Sequence, residues 1–171
     1  INKIVTKILN LYSDVRILVI DDESNDSTIP ILRSLSKNNN KLKYIVRKKN
    51  KGLGSAHRDG ILYSYKKKFD YCITMDADGT HDPKKIKKMI FLLKNKKYNI
   101  INTSRFLHKS SLADWPTFRR FLTNIRYYLV KILLNTNYDS SGGFRAYNLK
   151  KIDKKIFNLT KNNNYFFLIE S

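Results

Sequence analysis

The chain is poor in cysteine, proline and glycine: one, three and six in 171 residues. A lone thiol excludes an internal disulfide and a cysteine-rich zinc site, and it fits a reducing compartment. There is no apolar run long enough to cross a bilayer, which takes about 18 residues or more. Residues 1–5, INKIV, lack the long apolar core of a signal peptide and also lack an initiator Met. Acidic residues are scarce as well. Against 34 Lys+Arg stand 14 Asp+Glu, a formal net charge of +20. Lys, Asn and Ile are abundant throughout, as a compositional bias of the source would make them. The same excess draws phosphates, whether of a nucleotide, a nucleic acid or an anionic lipid. At 42% hydrophobic the composition excludes disorder, and the length suits one domain with a real core.

Helical and extended patterns alternate. Ile4, Ile8 and Leu11 repeat at helical spacing, then Val15 to Ile20 form an apolar run that stops at Asp21-Asp22. Helical spacing returns at Ile29, Leu32 and Leu35, and Leu42 to Val46 has the pattern of a strand. Leu53 to Lys68 is expected to be helical with Ala56, Ile61 and Tyr65 inward, and Tyr71 to Met75 to be a buried strand ending at Asp76. Pro83 suits the first turn of a helix reaching Asn95. Tyr98 to Asn102 is a further strand, Pro116 to Asn135 a long helix, and a loop at 136–145 precedes weaker helical signal. Strands alternating with helices predict an α/β domain whose sheet is mostly parallel and flanked by helices.

Ligands of such sheets bind beyond the carboxyl ends of the strands. Two apolar strands here end in acids, Asp21-Asp22 and Asp76-Ala77-Asp78. In extended chain, residues i and i+2 face one side, so Asp76 and Asp78 can address one hard cation. Mg2+ or Mn2+ takes one or two carboxylates together with diphosphate oxygens. The histidines carry less. His57, near a helix start, can be a ligand or a base but better suits a surface or capping position; His81 is within reach of a metal or phosphate; His108 sits in a basic loop with no role. Cys72 packs as a small apolar residue. All six glycines fall in three segments: Gly52, Gly54 and Gly60; Gly79; Gly142 and Gly143.

The run Asp21-Asp22-x-Ser24-x-Asp26-x-Thr28 resembles the nucleotide-sugar segment of inverting family 2 glycosyltransferases of the GT-A fold. The order of the further motifs is similar to that of dolichol- or polyprenol-phosphate mannosyltransferases. These are Asn50 to Ala56 (NKGLGSA), Met75 to Pro83 (MDADGTHDP), Ser104-Arg105-Phe106, Trp115 with Arg119-Arg120, and Asp139 to Tyr147 (DSSGGFRAY). Together they span residues 21–147. The resemblance implies that Asp21 or Asp22 binds the base and ribose of the sugar nucleotide. It implies that Asp76 and Ala77 lie by the nucleotide, that Asp76 and Asp78 hold the metal, and that Thr80 assists. Asp78, Arg105 and Arg119 are implied to be catalytic, with Arg105 on the donor diphosphate and Arg119, with Arg120, on the phosphate of a lipid acceptor. Ser141, Gly142 and Gly143 are implied to line the acceptor and sugar pocket. The implied partners are a nucleotide-sugar, GDP-mannose favoured, a polyprenyl phosphate and a membrane surface, with no nucleic acid. The implied location is cytoplasmic and peripheral to a membrane. The family also carries an earlier strand with a Pro-x-Tyr-Asn-Glu-type turn and a later acceptor-side segment. The expectation is therefore of one domain over residues 1–171, incomplete at both ends.

Two other readings remain. One is a family 2 enzyme that uses UDP-glucose or a sugar acceptor; a sugar acceptor requires a carboxylate base near the Gly142-Gly143 turn or later, for which Glu170 is the late candidate. A basic nucleic-acid-binding module explains the charge, but acid pairs at two strand ends repel phosphate, and no recognisable motif supports it. After Pro116, Phe118, Phe121, Leu122, Ile125, Tyr128, Leu129, Ile132 and Leu133 form a stripe beside Arg119, Arg120, Arg126 and Lys131. Such a helix lies in a lipid interface or packs on a core.

Overall fold

A computed structural model describes residues 1–104, 106, 116–133, 139 and 142–159, and the side chains of Arg119, Arg126 and Val130 lie outside that description. The element order is α1 (Asn2–Leu11), β1 (Ile17–Asp21), α2 (Thr28–Asn38), β2 (Leu42–Val46), α3 (Leu53–Lys66), β3 (Tyr71–Thr74), α4 (Lys85–Asn95), β4 (Ile100–Asn102), α5 (Thr117–Leu133), β5 (Arg145–Asn148) and α6 (Lys155–Leu159). The α/β class and the early elements follow the sequence patterns closely.

The sheet does not. β1 and β2 pair in parallel, with Ile17 opposite Leu42 and Asp21 opposite Val46. The other three strands have the order β3-β5-β4, and β5 runs antiparallel to both neighbours. The expected mostly parallel sheet is thus only partly parallel. The cause is β5, which the sequence pattern placed in a loop and a weak helix. Its residues, Arg145-Ala146-Tyr147-Asn148, show no apolar run, yet all four are buried. They are strand because β5 fills the space between β3 and β4 and supplies the hydrogen-bonding partner of each.

Alternation along β5 divides the core in two. Tyr147 joins Ile61, Cys72, Leu149 and Phe157, beneath α3 and α6. Ala146 joins Ile86, Met89, Leu93 and Phe144, beneath α4. In α3 the buried positions Gly54, His57 and Ile61 lie on one face, which is why a helix begins directly at the Gly52 turn. His57 is therefore a buried residue and not the surface or capping residue expected. α1 is held to the start of α4 by Tyr12, whose hydroxyl donates to the Pro83 carbonyl at 2.8 Å.

Between β1 and β3 lies a cavity of about 1360 Å³, lined by Ile17 to Ile20 of β1 and by residues 71–78. α1 and α4 face it from one side and α3 from the other. Among the described residues β1 pairs with β2 alone and β3 with β5 alone, so no ladder crosses this slot.

The stripe on α5 is exposed: Phe118, Phe121, Leu122, Ile125, Tyr128, Leu129, Ile132 and Leu133 all face outward, Leu133 at 77%. Among the described residues, Tyr127 of α5 stacks on Phe106 at 4.0 Å between centroids. Of the two readings of this helix, core packing does not apply among the described residues. No described helix is long and apolar enough to cross a membrane.

Candidate functional site

Both acidic segments sit at the C-terminal ends of their strands, but they are held differently. Asp21 is buried and closes the turn after β1, its carboxylate accepting the Ser24 N–H at 2.7 Å and the Ser24 hydroxyl at 2.8 Å. Glu23 takes a positive φ of 63° to make that turn. Asp22 is half-buried and faces Arg47, with Nε at 2.8 Å and Nη2 at 2.5 Å from Oδ1. Its Oδ2 accepts the Gly52 N–H at 2.7 Å.

Asp76, Ala77 and Asp78 line the slot together with His57 and Thr74. The Asp76 N–H donates to His81 Nδ1 at 3.1 Å, and His81 Nε2 lies 3.8 Å from Asp76 Oδ2. His81 stacks on Phe144 at 5.0 Å. Its acceptor Nδ1 assigns the ring proton to Nε2, on the carboxylate side. His81 thus pins the loop after β3. Asp78 Oδ1 accepts the Thr80 N–H at 2.9 Å and the Thr80 hydroxyl at 2.7 Å. Burial works against ionisation of Asp78, but the Thr80 hydroxyl and amide outweigh it and hold the carboxyl below its ordinary value.

The turn into β5 reaches the same place. A Cβ on Gly143 would lie 3.0 Å from Asp76 Oδ1 and 3.4 Å from His57 Cε1. Only a glycine lets Asp76 lie this close to the backbone. The Gly143 carbonyl accepts the Thr74 hydroxyl at 2.8 Å, tying the turn to the end of β3. Gly142 is equally tight against a different neighbour, its Cβ position being 2.9 Å from the Thr103 carbonyl oxygen.

The structure therefore brings Asp76, Ala77, Asp78 and Gly143 together. It does not put Asp22 on the slot wall, because that carboxylate is turned to Arg47 and Gly52. Arg120 is exposed on α5. Arg105, Ser141 and the side chain of Arg119 lie outside the described residues, as do Trp115 and Glu170. Two residues given no role from the sequence, Arg47 and Arg145, are buried around the site, and His57, expected at the surface, is buried on the slot wall. Arg145 is buried, and its Nε–H donates to the Gly142 carbonyl at 2.9 Å. Nine of the 34 basic residues are arginine, so each is a marked choice in a lysine-rich chain, and that was the signal available for Arg47 and Arg145.

As a cation site, the residues present fit one kind of ion. Among the described residues no three acidic, histidine or cysteine side chains cluster as a complete cage. Two carboxylates at the mouth of a slot suit a cation of the Mg2+ type, which takes its remaining ligands from diphosphate oxygens and water.

His57 is pushed down to about 4, first by burial, then by the neighbouring Arg145 and His81 charges. It is neutral at physiological pH. The unfolded chain regains the ordinary value of 6.5. The stability from a neutral His57 is thus full above pH 6.5 and is lost as pH falls toward 4. The loss amounts to about 3 kcal/mol for a shift of this size. Urea unfolding at pH 7, 5.5 and 4.5 is expected to show a steeper acid decline for the wild type than for His57→Gln. Parallel declines would mean that His57 does not titrate so low.

The profile of glycosyl transferase family 2 matches residues 1–157. The chain is 26% identical over 132 residues to the undecaprenyl-phosphate mannosyltransferase of Micrococcus luteus, covering 77% of this chain and 54% of that protein. It is 25% identical over 169 residues to the polyprenol monophosphomannose synthase of Mycolicibacterium smegmatis, covering 98% and 63%. To the dolichol-phosphate mannosyltransferase of Mycosarcoma maydis it is 26% identical over 132 residues, covering 77% and 44%. The chain thus matches between 44% and 63% of the length of these relatives. With the match running through both acidic segments and the glycine turn before β5, the chain belongs to glycosyl transferase family 2.

Proposed function

We propose that the protein transfers mannose from a nucleotide-sugar, GDP-mannose favoured, to a polyprenyl phosphate of the dolichyl type. The observation that carries this reading is that Asp76, Ala77 and Asp78 line the slot, with the Gly143 turn packed against Asp76. The three relatives, each named for mannose transfer or a phosphomannose product on a polyprenol-type lipid, support the substrate class. The helix-flanked, partly parallel sheet is taken as the GT-A arrangement. Of the first acid pair, Asp22 is assigned to the nucleoside, since Asp21 is buried in its own turn.

The chemistry follows from charge. A phosphate monoester is anionic at neutral pH and needs no strong base to attack the anomeric carbon. It needs neutralisation, so that two anions can meet. Asp76 and Asp78 are the proposed holders of Mg2+ or Mn2+, which when bound offsets the charge of the departing nucleoside diphosphate. Arg105 and Arg119, with Arg120, are assigned to the two phosphate groups. The displacement is single and inverts the anomeric carbon. The exposed apolar stripe of α5, with Arg120 and Lys131 and no acidic residue, is proposed to lie on a membrane surface on its cytoplasmic side, where the lipid phosphate waits. Nucleic acid is not a proposed partner.

The test is transfer by the intact protein from labelled GDP-mannose to polyprenyl phosphate, followed by organic extraction. Lipid-borne mannose is expected. Product from UDP-glucose alone would move the reading to glucose, and no lipid product from either donor would overturn it.

A further inference from the structure

Arg47 follows β2 directly and is 7% exposed, in a chain whose other charges lie mostly in water. Its guanidinium is fully engaged. Nε and Nη2 grip Asp22 Oδ1 at 2.8 and 2.5 Å. Nη2 also donates to the Gly52 carbonyl at 3.0 Å. Nη1 donates to Ser55 Oγ and Asp59 Oδ2, both at 2.9 Å, and to the Asn50 carbonyl at 3.2 Å. Each of the three guanidinium nitrogens therefore has at least one protein acceptor, so the fork is committed to the protein itself.

The two carbonyls it holds belong to residues with unusual backbones. Asn50 has φ 54° and Gly52 has φ 128°. The loop between β2 and α3 thus folds around the guanidinium, and Ser55 Oγ reinforces it by donating to the Asn50 carbonyl at 2.6 Å. Its Gly52 N–H closes back on Asp22 Oδ2 at 2.7 Å. The consequence for Asp22 is specific. Oδ1 is committed to Arg47, whereas Oδ2 accepts one bond and has a lone pair to spare. The side chain remains 34% exposed at the end of β1. A carboxylate already neutralised by a buried arginine can accept an O–H or N–H without repelling a nearby diphosphate.

We infer that Arg47 is the positioning residue for the nucleoside half of the donor, acting through Asp22 and the Asn50–Gly52 loop to present Oδ2 to a ribose hydroxyl or base N–H. The inference rests on the nucleotide-sugar reading given above. It gives the two acidic segments different tasks. The β1 end reads the nucleoside through a neutralised carboxylate, and the β3 end keeps its carboxylates for the diphosphate side.

The experiment is calorimetric titration of the intact protein with GDP and, separately, with inorganic pyrophosphate, both with Mg2+. Arg47→Lys keeps a charge but cannot form the fork. It is expected to weaken GDP binding by about 10- to 100-fold, in line with removing one or two hydrogen bonds to a charged group. Pyrophosphate binding and the KM for polyprenyl phosphate are expected to stay within about twofold of wild type. Asp59→Asn, which removes one exposed partner of Nη1, is expected to fold readily and to weaken GDP alone by a smaller factor, about threefold or more. The double variant Asp22→Asn/Arg47→Lys is expected to be no worse than the poorer single variant, because the two act as one unit. Unchanged GDP affinity in both Arg47→Lys and Asp59→Asn overturns the inference. So does equal loss of GDP and pyrophosphate, which is the mark of a merely structural arginine. A wild type that binds UDP in place of GDP has the series read with UDP. If it binds a nucleotide but makes no mannosyl lipid, the transfer reading fails while the Arg47 result stands.

Discussion

Asp78→Asn in the intact protein is expected to reduce sugar transfer by roughly 100- to 1,000-fold, the scale seen when one preorganised electrostatic group is removed from a transition state. The thermal midpoint is expected to move little. Asp78 is exposed, and an asparagine carbonyl can still accept the Thr80 N–H and hydroxyl that Oδ1 accepts now at 2.9 and 2.7 Å. What the amide cannot supply is negative charge toward a cation. Burial opposes ionisation of the native carboxyl and the Thr80 hydrogen bonds outweigh it; the variant's amide has no proton to lose, so raising the pH is not expected to repair the defect. Wild-type transfer persisting in excess chelator would remove the cation from this account, and an Asp78→Asn variant of normal rate would remove Asp78 itself.

The glycine pair before β5 offers a sharper division. Gly143→Ala places a Cβ 3.0 Å from Asp76 Oδ1 and 3.5 Å from Oδ2. A carboxylate on two rotatable bonds can yield by a few tenths of an ångström at small cost to the fold. It then no longer sits where its ligand requires; a misplacement of about 1 Å costs about 100-fold in rate, so a shift of a few tenths is expected to cost on the order of 10-fold. Gly142→Ala instead meets the Thr103 carbonyl at 2.9 Å and Asn102 Oδ1 at 3.2 Å. Backbone cannot yield so cheaply, and the expected effect is a loss of about 1–3 kcal/mol in stability. Measured together by thermal melts and by initial rates per folded molecule, Gly143→Ala is expected to be the slow but stable variant and Gly142→Ala the unstable one. The reverse pattern would separate Asp76 from the chemistry.

Much of this chain was legible before any coordinates. β-branched runs stopping at acids marked β1 and β3, because a buried strand must be apolar and must end where charge meets water. The 3.6-residue repeats marked α1 to α5. The MDADGTHDP and SGGFRAY segments contain the residues Asp76 and Gly143, which the structure places against each other. Local pattern could not show β5, whose Arg-Ala-Tyr-Asn carries no strand signal and becomes a strand by filling the space between β3 and β4. Nor could it show that His57 is buried and neutral, since that depends on α3 lying over β3. The most consequential difference concerns the first acid pair. Adjacent aspartates are alike in sequence, but Asp21 closes its own turn while Asp22 is claimed by an arginine 25 residues away. Charges in sequence have a sign but no partner, and only the packing of one loop against another decides which of them remain free to meet a ligand.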